Sequence, residues 1–315
     1  MKYDVSIFGI ELTLDPVAFT LPIGNGWDVY WYGIIIAIGF ICAIIYGYLR
    51  APKLGIDVDR LLDVVLVATP VAILCARAYY VIFDGQKLES FGEFFGLGGS
   101  GISGLAIYGG VIGAVLGGVV MALIRKVKIF DLLDLAAVGF LIGQGIGRWG
   151  NFMNQEAYGD FTGSTWWGMT SNKIVSEYGE GLVHPCFLYE SIWCLTGALV
   201  LHLISKKRSF SGQVALSYCV WYGFGRAIIE LLRTDSLMIG PFKVSFLLSA
   251  LACIVAAVML IIIIGKKKDT AENQTYKAMF VDELAFEVAA AQEALEEEEA
   301  PEEQAADEAE EKTEE

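Results

Sequence analysis

Histidine is scarce in this sequence, and neither cysteine nor basic residues show the spacing of a common ligand site. The chain has 2 histidines among 315 residues, and its 6 cysteines mostly lie singly inside apolar runs, so no disulfide or zinc framework is expected. No basic stripe is present, which argues against a protein that binds nucleic acid. The N-terminus has no basic flank before a short apolar segment, and a cleaved signal peptide is therefore not expected.

Acidic residues are concentrated at the C-terminal end of the chain. Of the 37 acidic and 22 basic residues, 18 acidic but only 2 basic ones follow residue 268. The preceding part is nearly neutral, so the net charge of −15 says nothing about its partners. Residues 269–315 are rich in Glu and Ala, and we expect an acidic, disordered tail without a catalytic role.

Seven segments of the remaining chain could cross a bilayer, which requires about 20 mostly apolar residues. Over the whole chain 55% of the residues are hydrophobic and the mean hydropathy is +0.55, too apolar for an ordinary soluble domain. The predicted spans cover residues 29–49, 61–83, 105–124, 132–149, 187–204, 213–232 and 244–264. The sequence therefore predicts an all-α membrane protein with seven transmembrane helices in a domain of residues 1–268.

Lysine and arginine mark one side of the predicted membrane. They cluster in alternate connections between the spans, and the intervening connections are acidic or mixed. The clusters are Arg50, Lys53 and Arg60; Arg125, Lys126 and Lys128; Lys206, Lys207 and Arg208; and Lys266, Lys267 and Lys268. Under the positive-inside rule these clusters face the cytoplasm. The N-terminus is thus predicted to lie outside, and the C-terminus with its acidic tail in the cytoplasm.

Glycines recur every four residues in two of the predicted spans. Gly109, Gly113 and Gly117 lie on one face of the third span, and glycines 139, 143 and 147 lie on one face of the fourth. Such faces let another helix backbone approach closely. We expect the third and fourth spans to form a tight pair with Arg148 at its outer end.

Ionisable groups within a span are costly and by default mark a function or a buried pair. In the sixth span Tyr218, Tyr222, Arg226, Glu230 and Arg233 recur at steps of four, four, four and three, which places them on one helical face. This face cannot point at lipid. An internal Arg226–Glu230 pair, with Arg233 extending to the membrane surface, would also fit the pattern.

Polar side chains from several predicted helices converge on the outer leaflet. Arg77 lies near the outer end of the second span, Arg148 at that of the fourth, and Arg226 in the outer half of the sixth. The other polar side chains on this side include Tyr32, Tyr108 and His184. A single arginine or tyrosine there would be an ordinary interfacial anchor, whereas converging guanidinium groups suit a phosphate. A phosphate beside an apolar cavity at this depth indicates a phospholipid ligand.

The segment GRWGNFMNQEAYG (147–159) places strong hydrogen-bonding groups where the fourth span should end. Arg148, Asn151 and Gln155 would share one face if the helix continued. The glycines at 147, 150 and 159 favour instead a bent chain whose backbone a ligand can approach. Asparagine and glutamine amides both donate and accept, so they can orient a headgroup without adding charge.

Other classes of membrane protein fit the sequence less well. A transporter for an anionic solute would also gather arginines, but it should show repeated halves or broken helices at mid-membrane, and no duplication is evident. A retinal protein needs a lysine within its last span, and residues 244–264 contain none. The paired aspartates, Ser–His couple or His–Glu metal motif of a membrane protease are not evident either.

Several motifs resemble those of the bacterial prolipoprotein diacylglyceryl transferases. GRWGNFMNQEAYG resembles the signature segment of that family, with its Arg, Gly-Asn-Phe, Asn, Glu and closing Gly. WYG at 31–33, YGG at 108–110, HP..LYE at 184–190 and YG..R...E..R.D at 222–235 follow in the order of the family. The resemblance covers roughly residues 15–265 and does not include the acidic tail.

The resemblance implies seven transmembrane helices with the N-terminus outside, in agreement with the charge pattern. It implies transfer of diacylglyceryl from phosphatidylglycerol to the lipobox cysteine thiol in the signal peptide of a preprolipoprotein, which forms a thioether and releases glycerol phosphate. No metal, nucleotide or other cofactor is implied. We therefore expect a multi-pass enzyme of the bacterial cell membrane whose active site lies towards the extracytoplasmic leaflet.

The resemblance and the chemistry of the side chains together assign the site. Arg148 matches the family arginine that binds phosphatidylglycerol, and Arg226 is expected to clamp the phosphate and stabilise the leaving group. The predicted catalytic residues are Arg148, Arg226, Glu156, Tyr108 and Asn151. The predicted substrate contacts are Arg148, Asn154, Tyr32, Arg77, Gly159, His184, Glu190, Tyr222, Glu230 and Arg233.

The general base is left open by the sequence. The family often has histidine where this chain has Tyr108, and a tyrosine with a pKa of about 10 is a poor base at neutral pH. His184 lies on the correct side but, next to Pro185, it could equally shape a helix start. Glu156 and Glu190 are further candidates, and activation of the thiol by arginine alone is another.

Overall fold

The computed structural model describes residues 2–22, 26–83, 94, 104, 106–234, 236 and 238–267, with backbone only at 107, 108 and 267. Met1–Leu260 form one compact unit and Ile261–Glu315 a second. The predicted tail at 269–315 lies outside the described residues. The structure describes a 3-10 helix at Pro52–Leu54 and the bounds of eight α-helices: α1 (Trp31–Arg50), α2 (Val58–Phe83), α3 (Ile107–Ile124), α4 (Ile129–Asn154), α5 (Asn172–Tyr178), α6 (Cys186–Ser205), α7 (Gln213–Leu232) and α8 (Val244–Lys267).

Long apolar helices dominate the described part of the chain, as predicted for a membrane protein. Five of these helices, α1, α2, α4, α6 and α8, are long and apolar enough to cross a membrane. The described apolar part of α3 is shorter, and α7 carries both Arg226 and Glu230. All seven segments predicted to span the membrane coincide with helices, although the number of spans stays a prediction.

Short antiparallel strands accompany the helices, and the all-α prediction missed them. They are β1 (Tyr3–Ile7), β2 (Ile10–Leu14), β3 (Val17–Leu21), β4 (Trp27–Tyr30), β5 (Met169–Ser171), β6 (Met238–Ile239) and β7 (Phe242–Lys243). β1 pairs with β2 on one side and with β5 on the other. The chain start is thereby tied to the segment between α4 and α6, and Val5 is fully buried there with Met169 and Val183.

The two glycine ladders do not pair with each other, so the predicted tight pair of the third and fourth spans is wrong. The ladder of α3 packs on α2, where a Cβ added at Gly113 would lie 2.6 Å from Cys75 Cβ and 2.7 Å from the Val71 carbonyl oxygen. The ladder of α4 packs on α1, with Gly143 against the backbone of Gly39. Small residues permit close approach, but they do not specify which helix approaches.

The predicted bend at Gly147 and Gly150 is also wrong, because α4 continues as a helix to Asn154. Gly150 serves packing instead, since an added Cβ would lie 2.9 Å from the Tyr32 ring. The helix ends one residue later at Gln155, whose φ of 51° is left-handed. Arg148 and Asn151 therefore do share a helical face.

Two tryptophans fix α6 against α7. Trp193 Nε1 donates to the Trp221 carbonyl at 2.9 Å and Trp221 Nε1 donates to the Trp193 carbonyl at 3.0 Å, with the rings stacked at 4.6 Å. Gly225 and Gly197 leave the space that these indoles fill. This reciprocal contact holds the two helices in one register and brings Glu190 opposite Tyr222 and Arg226.

At the other end of α4 lies a buried ion cluster formed by Asp131, Asp134 and Arg208, here called the Arg208 cluster. Arg208 Nη1 lies 2.8 Å from Asp131 Oδ1 and 2.7 Å from Asp134 Oδ2. Asp134 also accepts the backbone N–H groups of Gly212 at 2.9 Å and Ala215 at 2.8 Å. It thereby caps the start of α7, where unpaired N–H groups need an acceptor.

Candidate active site

A buried glutamate joins two arginines at the same end of α4, α6 and α7. Arg148 Nη2 lies 2.8 Å from Glu190 Oε1, and Arg226 Nη1 lies 3.0 Å from Glu190 Oε2. Tyr222 donates its hydroxyl to Glu190 Oε1 at 3.2 Å. Arg226 Nη2 also lies 2.6 Å from Glu230 Oε2, at an angle unsuited to a hydrogen bond. These five residues are called the Glu190 cluster below.

Burial differs between the anions and the cations of the Glu190 cluster. The side chains of Glu190 and Glu230 are 2% and 1% exposed, whereas those of Arg148 and Arg226 are 21% and 14% exposed. Two cations balance two anions, as a buried charged group requires. The two guanidinium groups hold separate oxygens of one carboxylate, which is also how they could hold two oxygens of a phosphate.

An amide network extends from Arg148 along the signature segment. Arg148 Nη1 donates to Asn151 Oδ1 at 3.2 Å, and Asn151 Nδ2 donates to Glu156 Oε1 at 2.9 Å. Asn154 Nδ2 reaches the same oxygen at 3.4 Å. The structure therefore brings together four of the predicted site residues, Arg148, Asn151, Asn154 and Glu156. The Glu156 carboxylate accepts from both asparagine amides.

The backbone beyond α4 is strained at non-glycine residues. Gln155 and Ala157 have φ values of 51° and 58°, in the left-handed region that residues with a side chain adopt at a cost. Gln155 is fully buried and its Nε2 donates to the Phe152 carbonyl at 2.5 Å. This folded-back turn places Glu156 next to the two asparagines, and stored strain of this kind concentrates at functional sites.

Gly159 lies where three segments of the chain cross. Its N–H donates to the His184 carbonyl at 2.9 Å, and it forms a bridge to Arg233 just beyond α7. A Cβ added here would lie 2.8 Å from both Cys186 Sγ and His184 Cβ, and 2.9 Å from the Leu232 carbonyl oxygen. The position thus requires glycine for packing, which is a structural reason beside the predicted substrate contact.

Tyr32 lies beside the signature segment, since its ring packs on Gly150. Its hydroxyl is near enough to Glu156 and Arg148 to interact with both charges. About 38% of this residue is exposed, so part of the ring remains open to a ligand. The structure brings Tyr32 to the site that the sequence predicted for it.

His184 belongs to a different hydrogen-bond chain. Trp167 Nε1 donates to the Tyr189 hydroxyl at 2.8 Å, and that hydroxyl lies 3.2 Å from His184 Nδ1. Because the indole N–H can only donate, the tyrosine proton is free to point at His184 Nδ1. The histidine is held just before the start of α6, six residues before Glu190, by contacts other than those of the Glu190 cluster.

Three other predicted site residues have different outcomes. Arg77 is buried on α2 and donates to the carbonyls of Phe94 at 3.3 Å and Gly104 at 3.2 Å. Its convergence with Arg148 stays a prediction. Arg233 lies just past the end of α7 and is near enough to Arg148 for their charges to interact. The side chain of Tyr108 lies outside the described residues.

Two partners of the site were missed by the sequence analysis. Gln144 Nε2 lies 3.1 Å from the Tyr218 hydroxyl, one turn from Arg148 on α4 and one turn from Tyr222 on α7. Lys243 Nζ donates to the carbonyls of Glu230 at 2.8 Å and Arg233 at 2.6 Å, and so stabilises the end of α7. The four-residue spacing could have revealed Gln144, whereas Lys243 is a single lysine without a motif.

Outside the long helices, one titratable pair lies between the signature segment and α5. Tyr178 donates its hydroxyl to Asp160 Oδ1 at 2.8 Å, and the Phe161 N–H donates to the same oxygen at 2.7 Å. These bonds hold the pKa of the Asp160 carboxyl below its ordinary value and raise the pKa of Tyr178. Asp160 is therefore an anion at neutral pH.

The described side chains suit an anion better than a metal ion. No group of three His, Cys, Asp or Glu residues with the geometry of a metal site occurs in the part of the chain that the structure describes. The Glu190 cluster instead offers two partly accessible guanidinium groups, and the neighbouring segment offers amides and a carboxylate for hydroxyl groups. This set can bind a phosphate and orient the alcohol attached to it.

Comparison with known proteins agrees with this chemistry. The family model of the prolipoprotein diacylglyceryl transferases matches residues 16–262. A phosphatidylglycerol–prolipoprotein diacylglyceryl transferase of Bacillus cytotoxicus is 41% identical over 261 residues, 82% of this chain and 94% of that protein. Proteins of the same name from Clostridium novyi and Bacillus cereus are 39% and 42% identical, over 82% and 79% of this chain and 99% and 92% of theirs. The chain therefore belongs to the prolipoprotein diacylglyceryl transferase family.

Proposed function

We propose that this chain transfers the diacylglyceryl group of phosphatidylglycerol to the cysteine thiol of prolipoproteins, the activity for which its relatives are named. It is a transferase of the first step of lipoprotein maturation and a multi-pass protein of a bacterial cell membrane. The observation that carries the proposal is the sharing of Glu190 by Arg148 and Arg226. The thiol belongs to the lipobox of the signal peptide.

The proposed topology has seven spans, with the N-terminus outside and the C-terminus in the cytoplasm. It is supported by the alternation of basic clusters along the sequence. In this topology the Glu190 cluster lies towards the extracytoplasmic leaflet and the Arg208 cluster towards the cytoplasm. The active site would thus meet signal peptides after their export.

Glu190 acts in this proposal as a resident anion that a phosphate replaces. The phosphodiester of phosphatidylglycerol binds to the guanidinium groups of Arg148 and Arg226 in place of Glu190, so Glu190 loses its cations. A buried carboxylate without cations is favoured in its protonated form. Glu190 thereby becomes the acceptor for the thiol proton, a role for which Tyr108 is chemically poorly suited.

The displacement then proceeds at the glycerol carbon of the diacylglyceryl group. The thiolate sulfur forms a bond to this carbon while the bond from carbon to the phosphate oxygen breaks, and the electron pair leaves with glycerol phosphate. Arg148 and Arg226 stabilise the charge that develops on the phosphate. Glycerol phosphate then takes the proton from Glu190, which returns to its two arginines.

The other site residues position the substrates in this proposal. Asn151, Asn154 and Glu156 bind the hydroxyl groups of the glycerol headgroup, because their amides and carboxylate converge. Tyr222 and Glu230 hold Glu190 and Arg226 in place. Tyr32, Tyr108, Arg77, His184, Gly159 and Arg233 line the path of lipid or peptide.

A reconstituted assay tests the function. The purified protein is incubated with phosphatidylglycerol and a lipobox peptide, and glycerol phosphate release and the mass gain of the peptide are measured. Arg148→Ala should lower turnover by about 100-fold or more, since it removes one charge-stabilising donor. Lys207→Ala, which changes an exposed lysine just beyond the far end of α6, is the control. Equal turnover by wild type and Arg148→Ala would contradict the site, and glycerol phosphate flux into vesicles without peptide would favour a transporter.

A further inference from the structure

Another buried arginine, Arg50, lies at the opposite end of the helices from the Glu190 cluster, and its charge is not balanced by a carboxylate among the described residues. Arg50 is the last residue of α1 and is 7% exposed. Its Nη2 donates to Ser205 Oγ at 3.3 Å, and its Nε is buried without a hydrogen-bond partner. From this we propose that Arg50 is the centre of a second anion site, which binds the phosphate of an anionic phospholipid.

Two other arginines at this end are neutralised, and Arg60, which has no carboxylate partner among the described residues, is exposed and donates to the Arg125 carbonyl. Arg125 pairs with Asp63, and Arg208 pairs with Asp131 and Asp134. Desolvating a cation without a counter-ion is unfavourable, as it is for buried charges in general. An anion from outside the chain would remove this cost.

Further polar and cationic residues lie near Arg50. Tyr46 and His202 bridge α1 and α6 through a contact of 3.1 Å between the Tyr46 hydroxyl and His202 Nδ1, and Ser205 Oγ donates to the His202 carbonyl at 2.7 Å. Lys53 lies three residues after Arg50, and Lys206 directly follows Ser205, so two further cations lie close to Arg50 along the chain.

The surroundings favour a lipid phosphate over a free one. Leu49 and Leu203, which neighbour the cluster along α1 and α6, are 66% and 54% exposed. Both helices pack on α4, and side chains rather than backbones connect them to each other at Arg50. Acyl chains can lie along these apolar faces while the headgroup reaches the cations, a common arrangement for basic pockets on the cytoplasmic side of a membrane. The assignment of this site to the cytoplasmic leaflet rests on the proposed topology, but the site itself does not.

Lipid binding to the full-length protein in detergent tests the proposal by native mass spectrometry. The probe is phosphatidic acid, with zwitterionic phosphatidylcholine as the comparison. Arg50→Gln should weaken the binding of one phosphatidic acid by about tenfold or more, the contribution of charged hydrogen bonds. Arg50→Lys should weaken it less, and Lys207→Gln should leave it unchanged. Unchanged affinity in Arg50→Gln would overturn the proposal.

Two further arms separate the possible anions and guard against misfolding. Inorganic phosphate should compete with phosphatidic acid for the wild-type protein and should bind more weakly to Arg50→Gln. Equal binding of inorganic phosphate to both proteins would show that Arg50 does not form the site, and the proposal would fail. Should Arg50→Gln fail to fold, the surface variant Lys53→Gln/Lys206→Gln should weaken phosphatidic acid binding by about tenfold or more, and no effect there would contradict the site. Transfer activity should be retained in every one of these variants, so failure here is distinct from failure of the proposed function.

Discussion

The Glu190 cluster and the Arg208 cluster are both buried groups of arginines and carboxylates, yet they differ in what holds the carboxylates. Asp134 accepts two backbone N–H groups as well as Arg208, so both of its oxygens are fixed by the fold itself. Glu190 is held only by side chains from α4 and α7 among its described contacts. Side chains can change partner without unfolding a helix, whereas backbone donors at a helix start cannot.

The two clusters also differ in how exposed their arginine side chains are. The Arg208 side chain is 7% exposed, compared with 21% for Arg148 and 14% for Arg226. The cation of the Arg208 cluster is paired and sealed from solvent, which suits a structural role, whereas the paired cations of the Glu190 cluster remain accessible to a ligand. The comparison therefore assigns the Arg208 cluster to stability and the Glu190 cluster to binding and catalysis.

The largest expected contrast is between alanine substitutions of the two central arginines. Arg226→Ala should lower turnover by about 100-fold or more, and because it leaves Glu230 buried without its cation it should also lower the unfolding temperature. Arg208→Ala leaves two aspartates buried without their cation, and should lower the free energy of unfolding by about 3–5 kcal/mol. Turnover assays and thermal unfolding in detergent check both. A stable, fully active Arg208→Ala would remove the distinction between the clusters.

A smaller effect is expected at Gly159, which packs the signature segment against the start of α6 and the end of α7. Gly159→Ala would bring a Cβ within 2.9 Å of three atoms in two other segments, and overpacking of this kind costs about 1–3 kcal/mol. Gly265→Ala is the matched control, because no atom lies within 4 Å of its added Cβ. Thermal unfolding should separate the two variants, and equal unfolding temperatures would argue against the crossing described at Gly159.

The smallest effect is expected outside the helices, at Tyr178. Tyr178→Phe removes the hydroxyl that holds the pKa of Asp160 below its ordinary value. A lowered carboxyl pKa stabilises the fold above the unfolded pKa of about 4 and loses that contribution as the pH falls through the lower folded value. The unfolding temperatures of the variant and the wild type should therefore differ slightly at pH 7 and converge at acidic pH. A difference that persists unchanged in acid would assign the effect to packing.

The sequence predicted the helices well because an apolar run of about 20 residues has few alternatives in a membrane. The seven predicted segments agree with helices to within five residues at each end, and 213–232 agrees fully. The strands were missed because β1 pairs with β5, more than 160 residues away, and neither strand is long enough to show a pattern. The predicted pairing of the glycine ladders was wrong because a helix face made of small residues can pack on any neighbouring helix.

The site was predicted residue by residue, but not its connections. The arginines, asparagines and glutamates of the motifs could be named, since polar groups in apolar helices are conspicuous. That Glu190 lies between Arg148 and Arg226 depends on the rotation of α6 against α7, which the two tryptophans fix. No spacing within one helix contains that information.

Glu190→Gln tests the central claim most directly. The variant should bind phosphatidylglycerol more tightly if Glu190 is a resident anion, and more weakly if Glu190 is an ordinary binding residue. The variant keeps the shape of the side chain but frees Arg148 and Arg226 from their shared charge. We expect the dissociation constant for phosphatidylglycerol to fall by about tenfold while kcat falls by about 100-fold or more, since the proton acceptor is lost. Weaker binding of phosphatidylglycerol by Glu190→Gln, or undiminished kcat, would contradict the exchange of Glu190 for phosphate.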